Sequence, residues 1–598
     1  MSDFPVLVPH HERPAWFWRV IFIGTPLALG LGTVGFRLHD KEPAGLGSWL
    51  DALYHSVQLF ILHMPHMEGP VNGYLELGRW LAAGLFGFAA MIALYDILTT
   101  EFQHFRLRFA SGHTVICGLG PKVMELARCF GEADKAGPVV IIAPPEEGHA
   151  PLHSADAVVI VGSPVDPANL VKARTQAAKR IIALCSDDHT NVQVAVEAGK
   201  LVHAKAPNPS EPLRCFVQLA DVDLRASLHR TASFGDQRCQ VRFFDLFDAA
   251  ARRFLLQPVH LRADSPYKAL DHGGVTESDR RFVHLVLLGF GRMGRTVAVR
   301  AAQLGHFANG KPIRISVIDR EADRHKGMLL FRYPNFEKTC AIEFHKTEIE
   351  TRQARDLLEE WCTTADSATS IAVCFDQDSL ALEVALRLFP TLERFDTPVA
   401  VRMSRKSGFA SLLEEGKVKP DLRFQLRGFG MLEDTCCGDV LEDSLNETLA
   451  QAIHEDFRRR RIAEGRDPAE PSSRPWDELN DDFRDSNRQQ ADHLAIKLQG
   501  IGCVRAEHND PRMITVNAFG DHEVEIMARM EHSRWNAERW LAGWMQGPRD
   551  ASRRSSPYLV PWEELPPNIQ EYDREAVRLI PALLDAIGEK VCRKEANS

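Results

Sequence analysis

Gly289, Gly291 and Gly294 stand in the run HLVLLGFGRMGRTVAV at the spacing that lets a backbone turn approach a phosphate. The turn follows a strand-like stretch, Leu285 to Leu288, and opens a helix-like one, so a helix N-terminus would face the anion. The next strand pattern, IRISVIDRE, ends in Asp319, 25 residues after Gly294. A carboxylate at that place can accept hydrogen bonds from a ribose. The same glycines also suit a structural unit, where they permit close helix–sheet packing. A second turn, HTVICGLGPKVMELARCF, keeps Gly118 and Gly120 but puts Val123 at the third glycine position. Its following strand ends in Ala143-Pro144-Pro145, with no carboxylate, so a structural role is favoured and Gly118 and Gly120 form the poorer site. Asp376 and Asp378 close a later strand, where they line a crevice or cap the next helix.

The elements that must hold these turns alternate strand and helix, and the rhythm runs twice. Two Rossmann-like α/β units in tandem follow. Such a fold does not fix a function. A membrane-anchored NAD-dependent oxidoreductase is one reading, but no separate substrate domain offers a His, Lys or Tyr for proton transfer beside a nicotinamide, so the chain is read as a non-enzyme. The net charge of −10 gives no global basic field, which argues against nucleic acid as a partner. Twelve scattered cysteines show no CxxC pair and no zinc spacing, so no metal site is expected and the thiols fit a reducing compartment. The adjacent Cys436 and Cys437 read as loop residues.

Ahead of the first unit lie two apolar stretches, Ala15 to Phe36 and Trp80 to Leu98, long enough to cross a bilayer. Trp16, Trp18 and Trp80 sit near their ends as interfacial anchors. Arg13, Arg19, Arg106 and Arg108 flank them on the outer sides and place both termini in the cytoplasm. Between them, Trp49 to Leu62 is too short to span but carries Trp49, Leu50, Leu53, Tyr54, Val57, Phe60 and Ile61 at helical spacing. Helix, half-helix, loop, helix is the plan of a tetrameric cation-channel subunit, or of two plain anchors with an amphipathic helix between.

Beyond Ser407 the composition loosens. Glu455 to Glu478 reads as a helix and then a linker, with Arg458 to Arg461 on a solvated face. The following stretch is dense in Trp, Arg and turn residues. Trp562 with Arg539 and Arg549 could stack a base and hold a phosphate, whereas Trp535, Trp540, Trp544 and Trp562 could equally build a helical core.

The runs HTVICGLGPKVMELA, GSPVDPANLVKARTQAAKRIIALCSDDHTNVQVA and LLGFGRMGRTVAV, behind the pore-like plan, resemble the RCK family, which regulates potassium-channel conductance; the resemblance covers Ala15 to Met403. HSRW, GWMQGPRD, PYLVPWEEL and EYDREAVR closely resemble the ryanodine-receptor repeat (RyR) domain, over Ser486 to Leu584. The fold implied is an α-helical membrane domain of two spans plus a half-helix (1–110), two Rossmann-like RCK domains (111–265 and 280–405), a connecting helical segment and linker (406–484), and a mainly α RyR-like domain (485–590). The resemblance implies a homotetrameric, ligand-gated, potassium-channel-like cation channel in a prokaryotic inner membrane. It would be gated through the Thr99 to Gly112 linker, with membrane lipid, other copies of the chain and a permeating cation as partners. The ligand implied is a nucleotide: NAD(H), or an adenine nucleotide such as ATP or ADP-ribose. The alternative is a non-conducting membrane sensor or scaffold. The family's filter is Thr-Val-Gly-Tyr-Gly, whose carbonyls replace an ion's hydration shell. Here Leu62, His63, Met64, Pro65 and His66 stand in its place, and Pro65 fixes its own φ. A carbonyl-ring filter of the usual geometry is therefore not expected.

Overall fold

The computed structural model describes residues 15–39, 45–65, 70–133, 138–145, 157–205, 212–220, 238–260, 274–395, 397–404, 426–430, 446–507, 514–550 and 552–593, with the single positions 224, 228 and 432. Arg13, His66, Cys436 and Cys437, and the side chains of Trp16 and Arg106, lie outside these.

Three helices open the chain: α1 (Ala15–His39), α2 (Leu46–Gln58) and α3 (Gly73–Leu107). Two of them hold stretches long and apolar enough to cross a membrane, Trp18–His39 and Gly73–Ile92, and most of each stretch is exposed rather than packed in a core. Small residues bring the helices together. A Cβ on Gly35 would lie 2.5 Å from the backbone nitrogen of Leu75, and one on Gly78 would lie 2.8 Å from that of Gly32. Polar ties add to this: Thr33 Oγ1 donates to Ser56 Oγ at 3.1 Å, and Asn72 Nδ2 to the Gly35 carbonyl at 2.7 Å. Gly35→Ala is expected to destabilise the detergent-solubilised chain by roughly 1–3 kcal/mol through overpacking against backbone. Gly30→Ala, with no atom within 4 Å of its Cβ, is the matched control, and equal melting temperatures for the two would refute the close approach. The expected apolar stripe of α2 is exposed at Trp49, Leu50, Leu53, Tyr54, Val57 and Ile61. Its buried face is the narrow one of Ala52, Ser56 and Leu59.

Two parallel six-stranded sheets follow. The first holds β1 (Thr114–Cys117), β2 (Val139–Ala143), β3 (Ala157–Val161), β4 (Arg180–Ala183), β5 (Leu213–Gln218) and β6 (Cys239–Phe244), ordered β3-β2-β1-β4-β5-β6. The second holds β7 (Phe282–Leu288), β8 (Arg314–Asp319), β9 (Ala341–Lys346), β10 (Ser367–Val373), β11 (Val399–Arg402) and β12 (Leu426–Phe429), ordered β12-β11-β10-β7-β8-β9. Both are the doubly wound order, with the strand direction of winding reversing beside the first strand. Central strands such as Thr114–Cys117 and Val283 to Leu288 are buried on both faces, which is why they read as continuous apolar runs. The second sheet extends past the expected boundary at 405, since β12 adds to its edge.

Helices cover the sheets: α4 (Pro121–Ala133), α5 (Pro167–Lys172) and α6 (Asp188–Lys205) belong to the first, and α8 (Arg292–Leu304), α9 (Ala322–Arg332), α10 (Arg352–Thr363) and α11 (Asp378–Leu392) to the second. The helix between them, α7 (Leu246–His260), crosses over. It leaves β6 of the first sheet, yet Ala250, Ala251, Phe254 and Leu255 pack in the second unit's core with Phe290, Met293 and Val297. In return Leu432, past the second sheet, packs in the first unit's core with Leu126, Phe130 and Leu246.

The C-terminal module is mainly helical, with α12 (Glu447–Ala463), α13 (Asp481–Gly500), α14 (Asp521–Leu541), α15 (Pro567–Arg578) and α16 (Ile580–Asp585). The small strands β13 (Cys503–Glu507), β14 (Ile514–Thr515) and β17 (Glu589–Arg593) pair antiparallel, and β15 (Met545–Gln546) pairs with β16 (Ser555–Ser556). Its core takes Leu449, Ala450 and Ile453 from α12. The stretch after α12, expected as a linker, is packed rather than loose: Trp476 lies against that core and His454 Nε2 donates to the Arg474 carbonyl at 2.7 Å. Arg458 to Arg461 pair locally with Glu455, Asp456 and Glu464 on the helix face. Ile496, Ile526, Met530 and Leu541 join the second unit's core, so the module is seated on that unit.

Candidate functional site

The second glycine turn leaves β7 at Leu288. Gly289 has φ +89°, a backbone state that disfavours any side chain, and its missing Cβ leaves room for the Phe375 ring. Gly291 is the N-cap of α8. A Cβ on Gly294 would collide with the Gly289 carbonyl, so this glycine lets the helix close on the turn. Between the first two glycines Phe290 turns inward, fully buried, with its ring edge-on to Phe344 at 5.1 Å. Asp319, at the end of the neighbouring strand β8, is fastened to the turn. Its Oδ2 accepts from the Phe290 N–H at 2.8 Å, and its Oδ1 accepts from the Glu321 N–H at 2.7 Å. A carboxylate has about four acceptor positions, so capacity for a ribose hydroxyl remains. His325 Nε2 stands 3.8 Å from Oδ1. Gly289, Gly291, Gly294 and Asp319 thus share one site. Asp376 joins it, with Oδ2 3.5 Å from where a Gly291 Cβ would be. Asp378 does not: its Oδ2 accepts from the N–H and the hydroxyl of Ser404, pinning the end of β11.

The first unit's turn has the same shape with a different anchor. Gly118 has φ +143° and abuts the Leu184 carbonyl, and Gly120 has φ +109° with open space around its missing Cβ. Val123 is buried in the core against the sheet, as an apolar residue in the place of Gly294 should be. Burial pushes Cys185 up to about 12, with the nearby Asp187 acting in the same direction.

Leu62 to Pro65, expected to stand in the place of a filter, are arranged as a helix stop. Leu62 takes the left-handed conformation, φ +60° and ψ +23°, and the His63 N–H bonds the Gln58 carbonyl at 3.1 Å. A branched residue in that state is strained by about 1–2 kcal/mol. Met64 is half-buried with its sulfur 4.0 Å from Arg79 Nη1, while Leu62 and His63 are exposed. No group of three or more His, Cys, Asp or Glu residues is placed to hold a metal ion among the described residues.

In the C-terminal module, Trp562 is 6% exposed. Its Nε1 donates to Glu525 Oε1 at 3.0 Å, and the Arg574 guanidinium lies 5.3 Å from its ring. Trp562 is a core residue whose rim is already satisfied, so it presents no open face to a base. Arg539 lies between Trp535 and Trp544, 5.6 and 4.9 Å from their rings. Its buried Nε has no partner among the described residues. Arg549 is exposed in the loop between β15 and β16. Between Trp562 and Arg539 stand the rings of His532 and Trp535, with His532 5.8 Å from Trp562 and 6.0 Å from Trp535. Trp540 instead receives Lys338 of the second unit, with Nζ 4.2 Å from its ring, and Asn335 Nδ2 donates to the Trp544 carbonyl at 3.1 Å. These aromatic residues therefore help to join two units, a role that sequence spacing does not reveal.

Fold and site together define a protein with two tandem dinucleotide-type α/β units and a helical C-terminal module. Residues 114–211 match the TrkA-N domain, and residues 509–593 match the RyR domain. No curated protein matches the chain. Among solved structures, the chain is similar to GsuK bound to ADP, at 14% identity over 72% of this chain and 98% of that one, with a TM-score of 0.36. It is similar to the GsuK channel bound to NAD at 13% identity over 73% and 85%, TM-score 0.37. The human SLO3 gating ring matches at 11% identity over 55% and 82%, TM-score 0.36.

Proposed function

We propose that the chain is a subunit of a ligand-gated, potassium-channel-like cation channel with a divergent filter, assembled as a homotetramer in a prokaryotic inner membrane with both termini cytoplasmic. The observation that carries this is α3. It runs unbroken from the apolar stretch starting at Gly73 to Leu107, whose side chain packs in the core of the first sheet with Val115 and Ile181. A helix continuous from membrane to α/β core can pass a change of shape in one to the other, provided ligand binds two shapes with different affinity. In this reading the membrane part is 1–110, the first α/β unit 111–265, the second runs from 280 to the end of β12, and the RyR-like module takes α12 as well as 485–590. The ligand is a nucleotide, NAD(H) or an adenine nucleotide such as ATP or ADP-ribose, held in the second unit. There the glycines admit the phosphate and Asp319 holds the ribose.

The test is cation flux into liposomes holding the full chain, with NAD, NADH, ATP, ADP and ADP-ribose added in turn. Asp319→Asn keeps an acceptor for the Phe290 N–H but removes the charge. It is expected to raise the ligand concentration needed for half-maximal flux about tenfold. Absence of flux with every nucleotide would overturn the channel reading. The strained, glycine-free stop at Leu62 to Pro65 favours the second reading in that event, a non-conducting nucleotide sensor.

A further inference from the structure

The two glycine turns belong to different units, yet cationic side chains beside both of them meet at a single ring. Phe247, in the first turn of the crossover helix α7, has Lys122 Nζ 5.2 Å from its centroid, the Arg292 guanidinium at 4.1 Å and the Arg402 guanidinium at 5.7 Å. Lys122 follows Gly120 in the first unit. Arg292 follows Gly291 in the second, and Arg402 ends β11 of the same sheet. The carboxylates near the two arginines hold loosely. Arg292 Nη2 is 3.1 Å from Asp245 Oδ1, an oxygen that also accepts from Gln218 Nε2 and from the Phe247 N–H. Arg402 Nη1 is 3.4 Å from Asp376, whose side chain is 67% exposed, and the same nitrogen donates to the Phe375 carbonyl. Such part-exposed pairs contribute little to holding the guanidinium groups in place. A diphosphate offering two-pronged bonds to guanidinium is a stronger partner. Space is present on the first unit's side, because no atom of the described residues lies within 4 Å of a Cβ built on Gly120.

We propose that the cationic cluster around Phe247 is a diphosphate site shared by both α/β units, in which Lys122 of the first unit and Arg292 and Arg402 of the second grip one nucleoside diphosphate ligand. This rests on the nucleotide reading of the Gly289 turn and extends it to a residue that reading does not involve. Lys122 precedes Arg292 by 170 positions and lies on the other sheet's helix. A ligand held from both sides would fix the two units against each other, whereas one held in the second unit alone would leave them as they were.

The experiment is calorimetric titration of the full detergent-solubilised chain with ADP, with AMP and with inorganic pyrophosphate. Three variants are compared with the wild type: Lys122→Ala, Lys122→Arg and Asp319→Asn. Lys122→Ala is expected to weaken ADP about tenfold and pyrophosphate similarly, to affect AMP less, and to flatten the salt dependence of binding. Lys122→Arg, which keeps the charge, is expected to retain most of the affinity. If Asp319→Asn weakens ADP and Lys122→Ala does not, the shared site is overturned and the nucleotide site stays within the second unit. Equal loss in Lys122→Ala and Lys122→Arg would overturn a role based on charge. No binding of ADP or pyrophosphate to the wild-type chain would overturn the nucleotide reading itself together with this extension.

Discussion

Glu531→Ala is expected to destabilise the protein by about 3–5 kcal/mol, because it strands two buried cations. Glu531 on α14 is 4% exposed and pairs with Lys497 of α13 and with Arg534, whose Nη2 is at 2.8 Å. Arg534 also reaches Glu538 Oε2 at 2.7 Å, and Ser486 Oγ donates to that oxygen at 3.0 Å. Burial opposes the charged form of Glu531. Arg534 and Lys497 overcome that opposition and hold its carboxyl down at about 2. Without Glu531, Arg534 keeps Glu538 and Lys497 keeps only the longer-range attraction of Asp573, in a setting where water cannot replace the lost partner. Glu563→Ala is the contrast: Glu563 is 69% exposed, 3.4 Å from Arg529, and its removal is expected to change stability by no more than roughly 1 kcal/mol. Urea unfolding of the two variants decides the matter. A midpoint for Glu531→Ala as close to wild type as that of Glu563→Ala would show that the seam between α13 and α14 is hydrated.

Mild acid is expected to remove about 3 kcal/mol of stability through each of two histidines as pH falls from 6.5 to 4. Burial pushes His306 down to about 4, against the opposing bond from its Nε2 to the Ala302 carbonyl at 3.0 Å. Burial likewise pushes His284 down to about 4, helped by Arg314 and His345. The folded values lie below the ordinary 6.5, so between 6.5 and 4 the unfolded chain takes up protons that the folded chain refuses. Stability from this source is whole above pH 6.5, declines as pH drops, and is fully lost below 4. Glu531 works in a lower window: its contribution is present above 4.5 and lost only as pH falls toward 2. Urea midpoints at pH 7, 5.5 and 4.5 for the wild type and His284→Gln test this. The variant should lose part of the acid sensitivity in that range, the rest staying with His306 and with His493 and His113, which burial also holds below 6.5, and parallel curves would refute the assignment.

What the sequence makes legible is what is local. The Gly289 turn, the strand before it and Asp319 after it are local signals, and the structure brings the turn and Asp319 together. The doubly wound order follows from alternation of strand and helix. The four residues Leu426–Phe429 carry no period long enough to announce β12. Nor does Trp spacing say whether a ring is buried. Trp562 owes its core role to Glu525 and Arg574, and Glu525 lies 37 positions away. The meeting of Lys122, Arg292 and Arg402 at Phe247 depends on the crossover of α7, which no short pattern encodes.

That crossover also sets an order of events during synthesis. The first sheet is complete once β6 at Phe244 has left the ribosome, but its core still lacks Leu432, nearly two hundred residues later. Meanwhile α7 emerges with Ala250, Phe254 and Leu255 facing a second core that does not yet exist. The nascent chain therefore carries an uncovered apolar face throughout translation of the second unit. A fragment cut between the units keeps that face open for good, so a well-behaved piece of this protein contains both sheets, Leu432 and the C-terminal module that completes the second core.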